Sequence, residues 1–171
     1  IKSKPIPSWF RGFSSPIKFS SDLSIQNKIY LASSDTDPFN RWESAQSLWL
    51  EYVLNPDQVI EKDLFQMIKN LFKNESDYSL LSEMISLPSE QIIHQNVGKI
   101  DVQVVHNRRN QSILSIASAF KHELLEMYDQ LNAPKVFDLS TQSIGERALK
   151  NKCLSYLSKL GEYDVAYKQF I

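Results

Sequence analysis

The sequence has few of the features that mark several common protein classes. It contains one cysteine, Cys153, so no internal disulfide can form and no zinc site can be built from cysteine alone. Its four glycines form no phosphate-binding loop. The apolar runs are a few residues long, against roughly 20 for a membrane-spanning helix, and no signal-peptide region opens the chain. We expect no membrane segment, and because a lone cysteine is compatible with a reducing compartment, a cytoplasmic location.

The chain also lacks an excess of charge of either sign. Nineteen Lys and Arg against twenty Asp and Glu give a net charge of -1, which leaves no basic field for nucleic acid or anionic lipid. What is present suits a folded protein, since 171 residues with 42% hydrophobic side chains can form one or at most two domains with a real core. The first residue is Ile1 rather than Met, which suggests a segment of a longer protein.

Residues 1–21 differ from the rest of the chain. Pro5, Pro7, Gly12 and Pro16 interrupt short apolar runs, which excludes a helix interior and indicates extended, strand-like structure. So few residues cannot make a sheet of their own. We therefore expect this segment to pair with chain outside the sequence or to pack along the helices.

From residue 22 onward the apolar residues recur at helical spacing. Asp37 followed by Pro38 predicts a helix start, and Asn55-Pro56 predicts its end. The pattern predicts helices over residues 22–32, 38–54, 57–73, 78–87 and 101–131 and from 163 onward. Ser89 is expected to cap a short helix that runs through residue 95, and either Ser140 or Thr141 to cap the helix that ends at residue 160. Short connections favour antiparallel neighbours. The expected fold is mainly α, an irregular array of antiparallel amphipathic helices that begins a helical superhelix, with no clear internal repeat.

His122, Glu123 and Glu126 form the strongest candidate for chemistry. Metallopeptidases use H-E-x-x-H on a helix to place two zinc ligands and a general base, and here Glu126 stands where the second histidine would be. A further ligand is needed and no sequence signal supplies one. The apolar stripe of the helix also directs His122 and Glu126 away from the core, which predicts a solvated pair.

The other candidates also have simpler interpretations. His94 ends a short helix, and His106 precedes Arg108 and Arg109, which could bind a phosphate or carboxylate but are more typical of a solvated face. Cys153 lies on an inner helical face, where a thiol acts as a small hydrophobe. Three tryptophans could form a stacking platform, but the last two are seven residues apart and suit packing; they are Trp9, Trp42 and Trp49.

Four ordered motifs resemble the C-terminal half of the aminopeptidase N family, the gluzincin alanyl aminopeptidases. They are Arg11-Gly12-Phe13-Ser14-Ser15-Pro16-Ile17, Asp35-Thr36-Asp37-Pro38-Phe39-Asn40-Arg41-Trp42-Glu43-Ser44-Ala45-Gln46, Leu87-Pro88-Ser89-Glu90 and Arg147-Ala148-Leu149-Lys150-Asn151-Lys152-Cys153-Leu154-Ser155-Tyr156-Leu157. Together they span nearly the whole chain, and none is catalytic. The resemblance implies that residues 1–21 are the tail of a β-sandwich domain and that residues 22–171 are the first part of the α-helical C-terminal domain.

The resemblance further implies a parent zinc peptidase that releases N-terminal amino acids from peptides, with this segment helping to cover and shape the active-site cavity. The family's H-E-x-x-H and its Gly-Ala-Met-Glu-Asn motif are missing here, because they belong to the preceding catalytic domain. We therefore assign this chain no catalytic, cofactor-binding or metal-binding residue and expect it to be inactive alone. Its expected partners are the upstream catalytic and β-sandwich domains, peptides in the parent, and a second copy through exposed aromatics near the end. The alternative is a free-standing helical interaction module.

Overall fold

The computed structural model describes residues 5–12, 22–55, 61–97, 101–133 and 136–170. Within these ranges the chain forms nine helices and no strand, so the fold is mainly α as predicted. The helices are α1 Ile25–Ser34, α2 Pro38–Leu54, α3 Glu61–Asn74, α4 Tyr78–Met84, α5 Glu90–Asn96, α6 Val102–Ala119, α7 Lys121–Leu131, α8 Thr141–Lys159 and α9 Tyr163–Phe170.

Short polar side chains begin most of these helices. Each accepts a hydrogen bond from a backbone N–H of the first turn, which would otherwise lack an acceptor. The capping residues are Ser24, Asp37, Asp77, Ser89, Asp101 and Ser140. The caps expected at Asp37 and Ser89 are confirmed, with Pro38 in the first turn of α2, and of the two alternatives for α8 the cap is Ser140 rather than Thr141.

The long helix predicted over residues 101–131 is wrong, because the chain breaks it at Phe120. That residue has φ -111° and ψ 18°, which ends α6 and redirects α7. Its buried ring lies 5.2 Å from the ring of Phe65 and 6.0 Å from that of Phe72, both on α3. No glycine or proline marks this break, so helical periodicity alone could not locate it. The helix α4 is also shorter than predicted and ends at Met84.

The segment before α1 is irregular where the structure describes it. Residues 5–9 have no regular secondary structure, and a turn follows with φ 51° at Phe10 and 70° at Gly12. The strand-like structure expected for residues 1–21 lies largely outside the described residues, as does the predicted start of α3 at residue 57.

Helix α8 occupies the centre of the array and packs against α4, α6, α7 and α9, while α2 packs against α1, α4 and α6. The buried face of α8 includes Leu149, Cys153, Tyr156 and Leu157. Among the described helices, none combines the length and apolar character that a membrane span requires. The core therefore lies between layers of helices and leaves the polar candidates at its margins.

Candidate functional site

The candidate metal pair on α7 lies on the outer surface. The side chains of His122 and Glu126 are 87% and 72% exposed, and His122 Nδ1 lies 3.8 Å from Glu126 Oε2. Glu123 instead faces α3, where its carboxylate lies 3.5 Å from Lys69 Nζ. Across the described ranges, no three His, Cys, Asp or Glu side chains come together as a metal site would require. The residues present do not fit a zinc ion, and the pair forms the exposed contact that the helical pattern predicts.

Of the other two histidines, His94 lies on α5 and His106 lies on α6, next to the start of α5. His106 Nδ1 is 2.9 Å from Glu90 Oε1, and its Nε2 is 2.8 Å from Asn110 Nδ2. His106 therefore links α6 to the start of α5. His94 Nε2 is buried and has no hydrogen-bond partner in the part of the chain that the structure describes.

Arg108 and Arg109 each donate to a backbone carbonyl. Arg108 Nη1 lies 2.9 Å from the carbonyl oxygen of Leu54, at the end of α2, and Arg109 Nε lies 2.8 Å from that of Pro88. Both guanidinium groups therefore hold neighbouring chain segments on α6. An anion would have to compete with these contacts, so the two arginines serve packing rather than the solvated face that the sequence suggested.

Cys153 and Trp49 lie in the core, as predicted. The Cys153 thiol is completely buried, and this burial raises its pKa to about 12. Trp49 is also fully buried and donates from Nε1 to the carbonyl oxygen of Met84 at 2.7 Å. Trp42 packs on Phe39 with ring centroids 5.8 Å apart, while Trp9 is 46% exposed on the segment before α1. The tryptophans thus form no common platform.

Residues of the sequence motifs meet at two places. The first is the connection between α4 and α5, residues 83–88, which we call the α4–α5 turn. Side chains from three helices donate to its backbone carbonyls. The contacts are Gln46 Nε2 to Glu83 and Ser86 at 3.2 and 2.9 Å, Trp49 Nε1 to Met84 at 2.7 Å, Tyr156 hydroxyl to Ile85 at 2.6 Å and Arg109 Nε to Pro88 at 2.8 Å. This turn therefore fixes α2, α6 and α8 relative to one another.

Close approach of α4 and α8 depends on Gly145. A Cβ atom at this position would lie 2.7 Å from Ser79 Oγ and 2.9 Å from Ser79 N. Contacts below 3.0 Å to backbone do not occur for real Cβ atoms, so only glycine fits. The absence of a side chain at Gly145 therefore allows the start of α4 to pack directly against α8.

The second meeting place joins the segment before α1 to the α1–α2 connection. Arg11 Nη1 lies 2.8 Å from Asp35 Oδ1, Arg11 Nη2 lies 2.5 Å from Thr36 Oγ1, and the Gly12 N–H donates to Asp37 Oδ2 at 2.7 Å. Arg11 Nη1 also donates to Ser8 Oγ at 3.1 Å. We call this set of contacts the Arg11 clip. The sequence placed most of these residues in motifs and assigned a role, that of helix cap, to Asp37 alone.

Two carboxyl groups of the Arg11 clip have lowered pKa values. Burial alone would raise the pKa of Asp35, but hydrogen bonds from Ser8, from the Asp37 N–H and from Arg11 outweigh burial and lower it. For Asp37 the Asn40 N–H, which it caps, is the largest cause of the lowered pKa, and the Gly12 N–H adds to it. The clip therefore favours the ionised form of both groups.

A largely buried ion pair joins Arg41, which belongs to the second sequence motif, to Glu75 after α3. Arg41 Nη2 lies 2.5 Å from Glu75 Oε2, with the two side chains 15% and 9% exposed, and Arg41 Nε donates to the Ala32 carbonyl oxygen at 3.0 Å. It borders a concavity of about 430 Å³ lined by Ser33, Arg41, Met67, Asn70, Leu71, Asn74 and Glu75. Since the charges of Arg41 and Glu75 compensate each other, this concavity has no excess charge to select an ion.

The family model that matches residues 25–170 is described as a domain of unknown function, DUF3458_C, with ARM repeats. The chain belongs to the DUF3458_C family. The match confirms the helical array and identifies a repeat architecture that the sequence pattern did not reveal. In ARM repeats each helical unit packs on its neighbours to build one continuous core.

Curated relatives of this DUF3458_C chain are aminopeptidases. Aminopeptidase N of Caulobacter vibrioides is 29% identical over 164 residues, which cover 92% of this chain and 19% of the relative. Aminopeptidase N of Escherichia coli is 28% identical over 174 residues, 95% of this chain and 20% of the relative. The chain thus spans about a fifth of the length of the curated relatives it matches, in their C-terminal helical region, and the resemblance to aminopeptidase N is confirmed.

A solved structure agrees with these relatives. The crystal structure of Legionella pneumophila aminopeptidase A in complex with aspartic acid is similar with a TM-score of 0.83 and 26% identity. The similarity covers 98% of this chain and 21% of that one. The arrangement of helices described above is therefore also found within a much longer aminopeptidase.

Proposed function

We propose that this chain is a non-catalytic helical part of a longer aminopeptidase that releases N-terminal amino acids from peptides, and that it helps to cover and shape the active-site cavity. The observation that carries the proposal is the match of more than nine-tenths of the chain to a fifth of each aminopeptidase. A segment of that share, made of packed helices, suits a cover better than a complete active site. The expected cytoplasmic location is part of this proposal.

The positions of the reactive side chains support a role without chemistry. His122 and Glu126 are largely exposed and lack a third ligand among the described residues, and the Cys153 thiol is buried with a raised pKa. Arg108 and Arg109 already donate to backbone carbonyls. In the proposed parent the zinc ion, which supplies the activated water of this peptidase class, would therefore be held by residues upstream of this chain.

The test measures hydrolysis of fluorogenic aminoacyl substrates and short peptides, with zinc present. We expect the 171-residue chain alone to show no turnover. Mixing it with the separately produced upstream portion should alter the KM for peptides. Zinc-dependent turnover by the chain alone, lost in His122→Ala but retained in the matched variant His106→Ala, would contradict the proposal.

A second candidate, a helical interaction module, is favoured by exposed apolar side chains in two places. They are Val136, Phe137 and Leu139 before α8, 91%, 72% and 73% exposed, and Tyr163, Tyr167 and Phe170 on α9, 69%, 64% and 88% exposed. Apolar surface of this kind usually contacts a partner. We expect the isolated chain to self-associate in light scattering, and less so as the double variant Tyr167→Ser, Phe170→Ser. No turnover by the chain alone, together with no change in the KM for peptides on mixing, would favour this module over the cover.

A further inference from the structure

The Arg11 clip joins the segment before α1 to acceptors that the helices themselves hold in place. Asp37 Oδ1 accepts the Asn40 N–H at 2.9 Å and so caps α2, while its Oδ2 accepts the Gly12 N–H. Asp35 Oδ1 accepts the Asp37 N–H at 2.9 Å as well as the Arg11 guanidinium. Both carboxylates are therefore oriented by the α1–α2 connection, and the position of Arg11 follows from them.

The backbone conformation of the segment before α1 also depends on the Arg11 clip. Phe10 has φ 51°, a conformation that a bulky residue adopts only when its surroundings hold it. Gly12 follows at φ 70°, where glycine meets no steric penalty. The Asp35 side chain is 3% exposed, so its end of the ion pair is shielded from water and salt. The turn at residues 10–12 is thus fixed on the array by directed hydrogen bonds rather than by apolar area alone.

We propose that Arg11 is a positioning residue: through Asp35 and Thr36, and together with the Gly12 N–H on Asp37, it fixes the orientation of the helical array relative to the chain that precedes α1. The inference rests on the proposed function, since in a covered aminopeptidase this orientation determines how often the cavity is shaped to accept a peptide. Arg suits the role because its planar fork donates to several acceptors at once, which a lysine ammonium cannot do in the same geometry.

The kinetic consequence is a rise in KM without a change in kcat. If only a fraction of molecules has the binding-competent orientation, the apparent dissociation constant increases by the inverse of that fraction. Once the peptide is bound, the competent orientation is the one occupied, so the chemical step is unchanged. In the full-length aminopeptidase we expect Arg11→Ala to raise the KM for tetrapeptides about three- to tenfold, with kcat within about twofold, and Arg11→Lys to be intermediate.

The matched control is Lys69→Ala. Lys69 is 49% exposed, as Arg11 is, and it also pairs with a carboxylate, but it joins α3 to α7 far from the clip in sequence. We expect its KM to remain that of the unmodified enzyme. Asp37→Asn gives a second variant that is less prone to misfold, because Asn also caps helices well, and we expect its KM to rise as that of Arg11→Ala does.

Amide hydrogen exchange of Gly12 in the 171-residue chain measures the clip directly. We expect about tenfold faster exchange in Arg11→Ala and no change in Lys69→Ala. Unchanged Gly12 exchange in Arg11→Ala overturns the inference, as does faster exchange with an unchanged KM.

Deletion of residues 22–171 from the full-length enzyme separates the two proposals. If the deletion alters peptide KM but Arg11→Ala does not, only the positioning role fails, and if the deletion alters nothing, the cover fails too.

Discussion

Two buried tyrosines allow the α4–α5 turn to be tested with a difference of a single oxygen atom. Tyr156 on α8 and Tyr128 on α7 are 4% and 3% exposed. The Tyr156 hydroxyl donates to the Ile85 carbonyl oxygen at 2.6 Å, whereas the Tyr128 hydroxyl is buried and finds no partner in the described part of the chain. Replacing either tyrosine by phenylalanine removes one buried hydroxyl oxygen. At position 156 that oxygen has a hydrogen bond, and at position 128 it has none among the described residues.

The expected effects follow from the cost of an unpaired buried polar group. Tyr156→Phe leaves the Ile85 carbonyl without its donor, which costs about 1–3 kcal/mol in the free energy of unfolding. At 2 kcal/mol the melting temperature would fall by about 4–8 °C for a chain of this size. Tyr128→Phe removes a hydroxyl that already lacks a partner, so the free energy should stay within about 0.5 kcal/mol or increase.

Urea unfolding followed by circular dichroism measures both variants. The m-value should stay constant, because the surface exposed on unfolding is the same. If Tyr156→Phe is no more destabilising than Tyr128→Phe, the hydrogen bond to the α4–α5 turn does not hold α8 in place.

The remaining predictions concern packing, charge, the thiol and pH. Gly145→Ala should destabilise the chain by about 1–3 kcal/mol in urea unfolding although alanine favours helix, because its Cβ would meet Ser79 backbone. Arg41→Ala, which strands a buried carboxylate, should cost about 3 kcal/mol against less than about 1 kcal/mol for the exposed Lys69→Ala. The Cys153 thiol should react with a disulfide reagent only as fast as the chain unfolds, and a faster reaction in native buffer would contradict its burial. Stability should fall above about pH 9, because this thiol keeps its proton in the fold but loses it when unfolded.

The helices could be predicted from the sequence wherever capping and periodicity agree. Asp37 with Pro38 and Ser89 each marked a true helix start, and Ser140 was one of two candidates for the start of α8, since these side chains satisfy backbone N–H groups that any helix leaves open. The break at Phe120 could not be predicted in this way. It results from the packing of one ring between two phenylalanines of α3, which is a tertiary effect without a local signal.

The candidate chemistry was predictable only in part. The helical spacing predicted His122 and Glu126 on the outside and Cys153 in the core, because spacing alone determines which face of a helix a residue occupies. The roles of Arg109 and Tyr156 depend on carbonyls 21 and 71 residues away in sequence. No pattern within one helix contains that information, so a contact of this range needs the folded chain.

These long-range contacts give a structural role to several polar residues of the motifs that resemble aminopeptidase N. Gln46 and Tyr156 use their donors on one turn, and Asp37 uses both carboxylate oxygens on a helix cap and on Gly12. Each contact joins separate segments, so each specifies a relative position rather than a reacting group. Substitutions there should change stability or the orientation of the array before they change any chemical step. The similarity to the solved aminopeptidase is one of helical arrangement, and contacts of this kind hold that arrangement together in this chain.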